Sequence, residues 1–130
     1  MKANIPTESE EQQALFQWAH YCRNEYPDLD LLYHVPNGGR RGKAEAGRFK
    51  AEGVKAGVPD VCLPVARGGY FGLYIEMKRR EGGKLSDTQK HWQNKLKLQG
   101  YWAVVCCGWA EAAETLKYYL GMAPTRSVRE

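Results

Sequence analysis

The chain has no long apolar run: none of its segments approaches the roughly 18 consecutive apolar residues that a membrane-spanning helix needs. Its N-terminus is polar and acidic, whereas a secretory signal begins with basic residues followed by apolar ones. Its four cysteines contain no CxxC pair, which disfavours a zinc knuckle or a disulfide framework. We therefore expect a cytoplasmic protein without a membrane partner, whose cysteines are reduced thiols.

Length and composition predict one globular domain. A chain of 130 residues can bury one core but is too short for two independent ones. Apolar residues make up 43% and charged residues 26%, a balance unlike that of disordered or low-complexity chains. We expect a single domain over residues 1–130, with a loose tail from about residue 124.

Positive charge is concentrated in one glycine-containing segment. Six basic residues against two acidic ones between residues 40 and 55 match the whole net charge of +4. Such a segment suits contact with a nucleic-acid backbone, although a solvated surface loop can have the same composition. Glycines before it would let backbone amides approach a phosphate closely. The candidate DNA-binding residues are Asn37, Gly38, Gly39, Arg40, Arg41, Lys43, Arg48 and Lys55.

Helix and strand signals alternate along the chain in the order α-β-(α)-β-β-α-β-α. Capping boxes at Thr7/Glu10 and Ser86/Gln89 predict helices over residues 8–24 and 87–99. A short exposed helix is predicted over 43–52 and a last helix over 110–120, with strands over 31–35, 60–65, 70–78 and 101–107. The middle two strands form a hairpin, and the helix before the last strand implies a parallel crossover. The pattern predicts an α/β sandwich with a mixed sheet.

Two weaker signals have ordinary structural interpretations. His34, near a strand end, could contact substrate, but an HNH-type site needs a second histidine at suitable spacing, so a structural role is favoured. Trp18, Trp92 and Trp102 fall within predicted helices or strands, where core packing is the usual role of large aromatic side chains.

The residues that carry chemistry are in GVPD, ending at Asp60, and in IEMK over residues 75–78. Side chains two apart on a strand share a face, so Glu76 and Lys78 project together, and the hairpin brings Asp60 near Glu76. Two close carboxylates repel each other, and a hard divalent cation relieves the repulsion. Such a cation and a lysine are suited to phosphodiester hydrolysis. An E-x-K alone could be a surface ion pair, but its combination with the aspartate favours a catalytic site.

GVPDVCLPV and LYIEMK resemble the motifs of the PD-(D/E)xK nuclease superfamily. The acidic first helix and the later KLSDTQ resemble its VRR-Nuc family, especially the small stand-alone members found in phages. The resemblance extends from about residue 8 to residue 120. It implies a restriction-endonuclease-like α/β/α sandwich with a central mixed β-sheet, in the cytoplasm of a bacterium or a phage-infected host.

The resemblance also implies a metal site. Asp60 and Glu76 would coordinate Mg²⁺ or Mn²⁺, the backbone carbonyl of Met77 would add a ligand, and Lys78 would be the catalytic lysine.

A glutamate of the first helix would complete this site. Glu11 is our first choice because it lies on the inward stripe of that helix, and Glu8, one turn earlier, is the second. Gln89 corresponds to a glutamine of the family, but it is also the N3 residue of its own capping box, and both interpretations stay open.

The function implied is a metal-dependent endonuclease that hydrolyses DNA, acting as a homodimer on branched or duplex DNA such as a Holliday junction in repair or recombination. The alternatives are a non-catalytic nucleic-acid-binding module and the nuclease subunit of a larger assembly. The candidate catalytic residues are Lys78, Asp60, Glu76, Glu11 and Gln89.

Overall fold

Four strands form one mixed sheet. The computed structural model describes residues 4–36 and 43–126. The strands are β1 (Tyr33–His34), β2 (Val61–Leu63), β3 (Leu73–Lys78) and β4 (Trp102–Cys107), in the spatial order β1-β2-β3-β4. β2 pairs antiparallel with both β1 and β3, whereas β3 and β4 are parallel. The predicted hairpin and the predicted parallel crossover are both confirmed.

Four α-helices accompany the sheet in the described part of the chain: α1 (Glu8–Tyr21), α2 (Lys43–Ala51), α3 (Asp87–Leu98) and α4 (Trp109–Leu120). Both predicted capping boxes are present, at the starts of α1 and α3. The helices and strands follow one another in the order predicted from the sequence, which is confirmed. Among residues 4–36 and 43–126, no helix has the length and apolar content that would let it cross a bilayer.

All four predicted strands are shorter in the structure, and the third begins at Leu73 instead of residue 70. Prolines limit two of them. Residues 27–31 form a 3-10 helix that begins at Pro27, so the first strand starts only at Tyr33. The second strand ends at Leu63, immediately before Pro64, which has no N–H to donate to a ladder. β4 lies at an edge of the sheet and is only partly buried.

The helices lie in two layers, one on each face of the sheet. The main core lies on the face covered by α1 and α4, where Leu15 and Leu116 pack with Ile75 and Met77 of β3. α3 covers the other face, where its Gln89 and Gln93 side chains form hydrogen bonds with β3 and β4. The α/β/α arrangement predicted from the sequence is confirmed.

The tryptophans are not equivalent. Trp18, Trp102 and Trp109 pack against the main core, as is usual for large aromatic side chains. Trp92, on α3, does not, so the prediction that it is a core residue is wrong. Its indole is half-buried and instead faces α2.

Candidate active site

The site lies where β3 extends beyond β2. β2 begins at Val61, which pairs with Ile75, so the last three residues of β3 have no partner in β2. The carbonyls of Gly72 and Lys78 accept hydrogen bonds from the β4 side. Since backbone groups alternate along a strand, the N–H and C=O of Met77 point toward the β2 side instead. At its outer edge, the end of β3 therefore has backbone groups that do not pair with β2.

Asp60 lies at this outer edge of β3, beside Met77. Its carboxylate accepts a 2.8 Å hydrogen bond from the N–H of Met77, which is the bond that a longer β2 would otherwise make. The carbonyl of Asp60 accepts from the N–H of Val35 at 2.7 Å and contacts Nδ1 of His34 at 2.8 Å. Because a carbonyl oxygen only accepts, Nδ1 of this imidazole carries the hydrogen. Asp60 is thus fixed by neighbours on both sides.

Gly57, three residues before Asp60, allows this segment to pack against α3. Its φ is +91°, and a Cβ at this position would lie 2.6 Å from the carbonyl carbon of Thr88. Only glycine tolerates both the left-handed backbone and this contact. The segment that carries Asp60 is therefore held against the first turn of α3.

Glu76 is almost fully buried, with 2% of its surface exposed. Its pKa is raised to about 9, mainly by burial. A hydrogen bond with Asp60 and the negative charge of Asp60 also raise the pKa, whereas the positive charge of Lys78 lowers it. Its Oε1 has no hydrogen-bond partner among the described residues. A buried polar oxygen without a partner is costly, so this position is suited to a positively charged ligand.

Gln89 connects the start of α3 to the two ionisable side chains of β3, Glu76 and Lys78. Its Nε2 donates to Oε2 of Glu76 at 3.3 Å, and its Oε1 accepts from Nζ of Lys78 at 3.0 Å. The same Oε1 accepts from the N–H of Ser86, which completes the capping box. The two interpretations of Gln89 that the sequence left open are therefore compatible.

Glu11 lies on the inward face of α1, as predicted, and is 1% exposed. Its carboxylate, however, is engaged elsewhere: Oε2 pairs with Nε of Arg80 at 2.8 Å, and Oε1 accepts from the N–H of Trp109 at 3.2 Å. The N-cap of α4 is Gly108, which has no side chain to cap the helix. Glu11 supplies this cap from α1, and its charge is favourable at a helix N-terminus.

Glu8, the second candidate, lies beside the site. Its Oε1 is 3.7 Å from Nζ of Lys78. It also lines, together with Asp60 and Met77, a cavity of about 220 Å³ at the edge of β3. The geometry thus favours Glu8 over Glu11 as the acid that α1 contributes.

Three further residues line this cavity: Ser9, Gln12 and His34. Sequence reasoning missed Ser9 and Gln12, and it favoured a structural role for His34. Gln12 lies four residues after Glu8, on the same helix face, so a search by helical spacing could have found it.

A comparison with protein families matches residues 6–110 to the VRR-NUC domain. The chain belongs to the VRR-NUC family. A solved structure titled "VRR_NUC domain protein" is 32% identical, with 95% of this chain and 94% of that chain covered and a TM-score of 0.79. No curated protein matches significantly. VRR-NUC is a nuclease-type family. The family match confirms the resemblance predicted from the sequence, and the solved structure confirms the predicted fold.

The residues at the VRR-NUC site fit a divalent cation in a particular way. In the described parts of the chain, no three His, Cys, Asp or Glu side chains converge as a complete metal shell. Mg²⁺, however, is commonly held by only one or two carboxylates and keeps several waters. Asp60, Glu76 with its unpartnered oxygen, and the carbonyl of Met77 would suffice.

The predicted DNA-binding residues of this VRR-NUC chain fall into two groups. Lys43 and Arg48 are exposed on α2, and Lys55 is exposed after it. The remaining predicted residues lie outside the described ones: Asn37, Gly38, Gly39, Arg40 and Arg41.

Proposed function

We propose that the chain is a Mg²⁺- or Mn²⁺-dependent endonuclease that hydrolyses phosphodiester bonds of DNA. The observation that carries this proposal is the convergence of Asp60 and Glu76 at the end of β3, where one buried oxygen of Glu76 has no hydrogen-bond partner in the described part of the chain. Lys78 lies beside them, on the same face of the strand as Glu76. A binding module without catalysis is disfavoured, because clustered carboxylates would repel the polyanion.

Asp60, Glu76 and the carbonyl of Met77 would hold the cation, which, when bound, neutralises the scissile phosphate and lowers the pKa of an attacking water. Asp60 is kept in place for this role by the N–H of Met77 and by the contacts of β1 with its carbonyl. Because its own hydrogen bonds fix its position, little reorganisation is needed on binding.

Lys78 is the residue that stabilises the transition state. Its ammonium has three N–H groups, and Gln89 accepts from one of them. The side chain is 8% exposed, so its charge acts in surroundings where water screens it little. Lys78 would stabilise the negative charge that develops on the phosphate.

Glu8 is the α1 acid of the proposed site. It lies at the cavity with Asp60 and close to Lys78, where it can orient the lysine or a water molecule of the cation. Glu11 is proposed only as the residue that holds α1 against α4 and Arg80.

The finer proposal is a homodimer that acts on branched DNA, such as a four-way junction, in repair or recombination. Two identical sites related by a two-fold axis would suit symmetric cleavage of such a junction. Its support is the resemblance to stand-alone phage proteins. The cytoplasmic location stays a prediction, and a role as the nuclease subunit of a larger assembly is the alternative.

The test is cleavage of a four-way junction, a flapped duplex, a linear duplex and a single strand, each with Mg²⁺, Mn²⁺ or EDTA. We expect metal-dependent cleavage that is fastest on branched DNA, by a dimer in analytical sedimentation. Equal rates on linear and branched duplexes would contradict the preference for branches. An active monomer would contradict the dimer.

A further inference from the structure

A second cavity lies between α2 and α3. It has a volume of about 540 Å³, and its apolar walls include Phe49, Val54 and Trp92, while Lys50 and Lys55 line it as well. We call it the α2–α3 groove. Its volume is within the range of small-ligand sites. No residue of α2 is buried, so the groove is not closed by packing of α2.

Trp92 presents an unpartnered ring to this groove. The other three tryptophans pack against the core, whereas Trp92 does not. Among the described residues, the Trp92 ring has no aromatic partner, and its indole N–H has no hydrogen bond. The Phe49 ring differs, because the guanidinium of Arg48 lies 5.4 Å from its centroid. Trp92 is therefore the free stacking surface in the α2–α3 groove.

The α2–α3 groove adjoins the proposed active site through α3. Trp92 lies three residues after Gln89 and four after Thr88, and these spacings make them neighbours on one helix face. Gln89 contacts Glu76 and Lys78, and Thr88 packs against Gly57. The α2–α3 groove thus lies about one helical turn along α3 from the active site, within reach of a DNA strand that is bound there.

The charge around the groove suits an anionic ligand with a flat apolar part. Lys50 and Lys55 line it and are exposed. Lys43 and Arg48 add positive charge on α2, the helix that carries Lys50. A nucleotide has both properties, since its base can stack on an indole while its phosphates contact ammonium groups.

We propose that the α2–α3 groove binds an unpaired nucleobase of the substrate, stacked on Trp92, with the flanking phosphates on Lys50 and Lys55. This proposal rests on the proposed function and deepens it, because it requires that a nucleotide next to the cleaved bond is unpaired when the branched DNA is bound. A base inside an intact duplex is stacked between its neighbours and is not free to enter the groove.

The test measures binding in EDTA, with the integrity of the oligomers checked at the end. The two probes are a short thymidine oligomer and an abasic deoxyribose-phosphate oligomer of equal length, which has the same charge but no bases. The variants are Trp92→Ala, Trp92→Phe and, as a matched control, Tyr21→Ala, which removes an aromatic ring that is 85% exposed on α1. Circular dichroism verifies that each variant is folded.

We expect the wild type to bind the thymidine oligomer about 5-fold to 150-fold more tightly than the abasic one, as one stacked base contributes. Trp92→Ala should abolish this preference, Trp92→Phe should keep most of it, and Tyr21→Ala should leave it unchanged. Thymidine binding should also quench the fluorescence of the wild type more than that of Trp92→Phe.

Equal or unmeasurable affinity of the wild type for the two oligomers would overturn the proposal. So would an equal loss of affinity for both oligomers in Trp92→Ala. The two proposals fail separately. A base preference without metal-dependent cleavage would refute only the nuclease, whereas cleavage without a base preference would refute only the groove.

Discussion

Gln89 donates a hydrogen bond from its Nε2 to Oε2 of Glu76, across 3.3 Å. Its Oε1 accepts from both Lys78 and the backbone of Ser86. One side chain therefore joins the N-terminal cap of α3 to the acid and the lysine of β3. Because the cap fixes Gln89, the positions of both side chains depend on how α3 begins.

Gln89→Ala and Ser86→Ala separate these two roles. Each should lower the free energy of unfolding by about 1 kcal/mol, because each removes part of the capping box. Only Gln89→Ala also removes the contacts with Glu76 and Lys78, so it should slow DNA cleavage by roughly 10-fold to 150-fold. Urea denaturation and single-turnover cleavage measure the two effects. Equal cleavage rates for the two variants would show that Gln89 acts only as a cap.

Glu11→Ala should mainly lower stability, whereas Glu8→Ala should mainly slow cleavage. Glu11 is buried and caps α4, so its removal should lower the free energy of unfolding by roughly 1–3 kcal/mol. Glu8 is half-exposed, and its ion pair with Lys78 should contribute under about 1 kcal/mol, but its loss should slow cleavage. Thermal denaturation and cleavage rates under conditions where both variants are folded distinguish them. Full activity of Glu8→Ala would refute its place in the site.

Glu76→Gln should stabilise the metal-free protein increasingly as the pH rises. Burial and Asp60 raise the pKa of Glu76 to about 9, from 4.5 for an unperturbed glutamate. The folded state then keeps a proton that the unfolded state loses, so wild-type stability falls between these two pH values. Glutamine does not titrate and is free of this loss.

Urea denaturation in EDTA at about pH 5 and about pH 9 tests this prediction. The stability advantage of Glu76→Gln over the wild type should be larger at the higher pH. Added Mn²⁺ should stabilise the wild type more than the variant, because the cation binds the folded wild type. An advantage that does not change with pH would contradict the assigned environment of Glu76.

Local signals made much of this fold predictable. The capping boxes at Thr7 and Ser86 fix where α1 and α3 begin, because their partners lie three residues away. The alternation over residues 75–78 correctly put Glu76 and Lys78 on one face of β3, where both contact Gln89. These features depend on neighbours in the chain, which a sequence displays directly.

Features that depend on distant partners were not predictable in the same way. Glu11 was correctly assigned to the inward face of α1, but the sequence does not reveal that Arg80 and the first N–H of α4 meet it there. Trp92 has the helical position of a core residue, yet α2 leaves it half-exposed beside the α2–α3 groove. Such outcomes depend on which elements pack together.

Cleavage of DNA by the wild type and by Asp60→Ala tests most directly whether Asp60 and Glu76 form a metal-dependent nuclease site. Asp30→Ala, which removes an exposed carboxylate from the 3-10 helix, is the matched control. The wild type and Asp30→Ala should cleave with Mg²⁺ or Mn²⁺ and not in EDTA, and folded Asp60→Ala should not cleave. Cleavage in EDTA, or undiminished cleavage by Asp60→Ala, would contradict a metal-dependent site at Asp60 and Glu76.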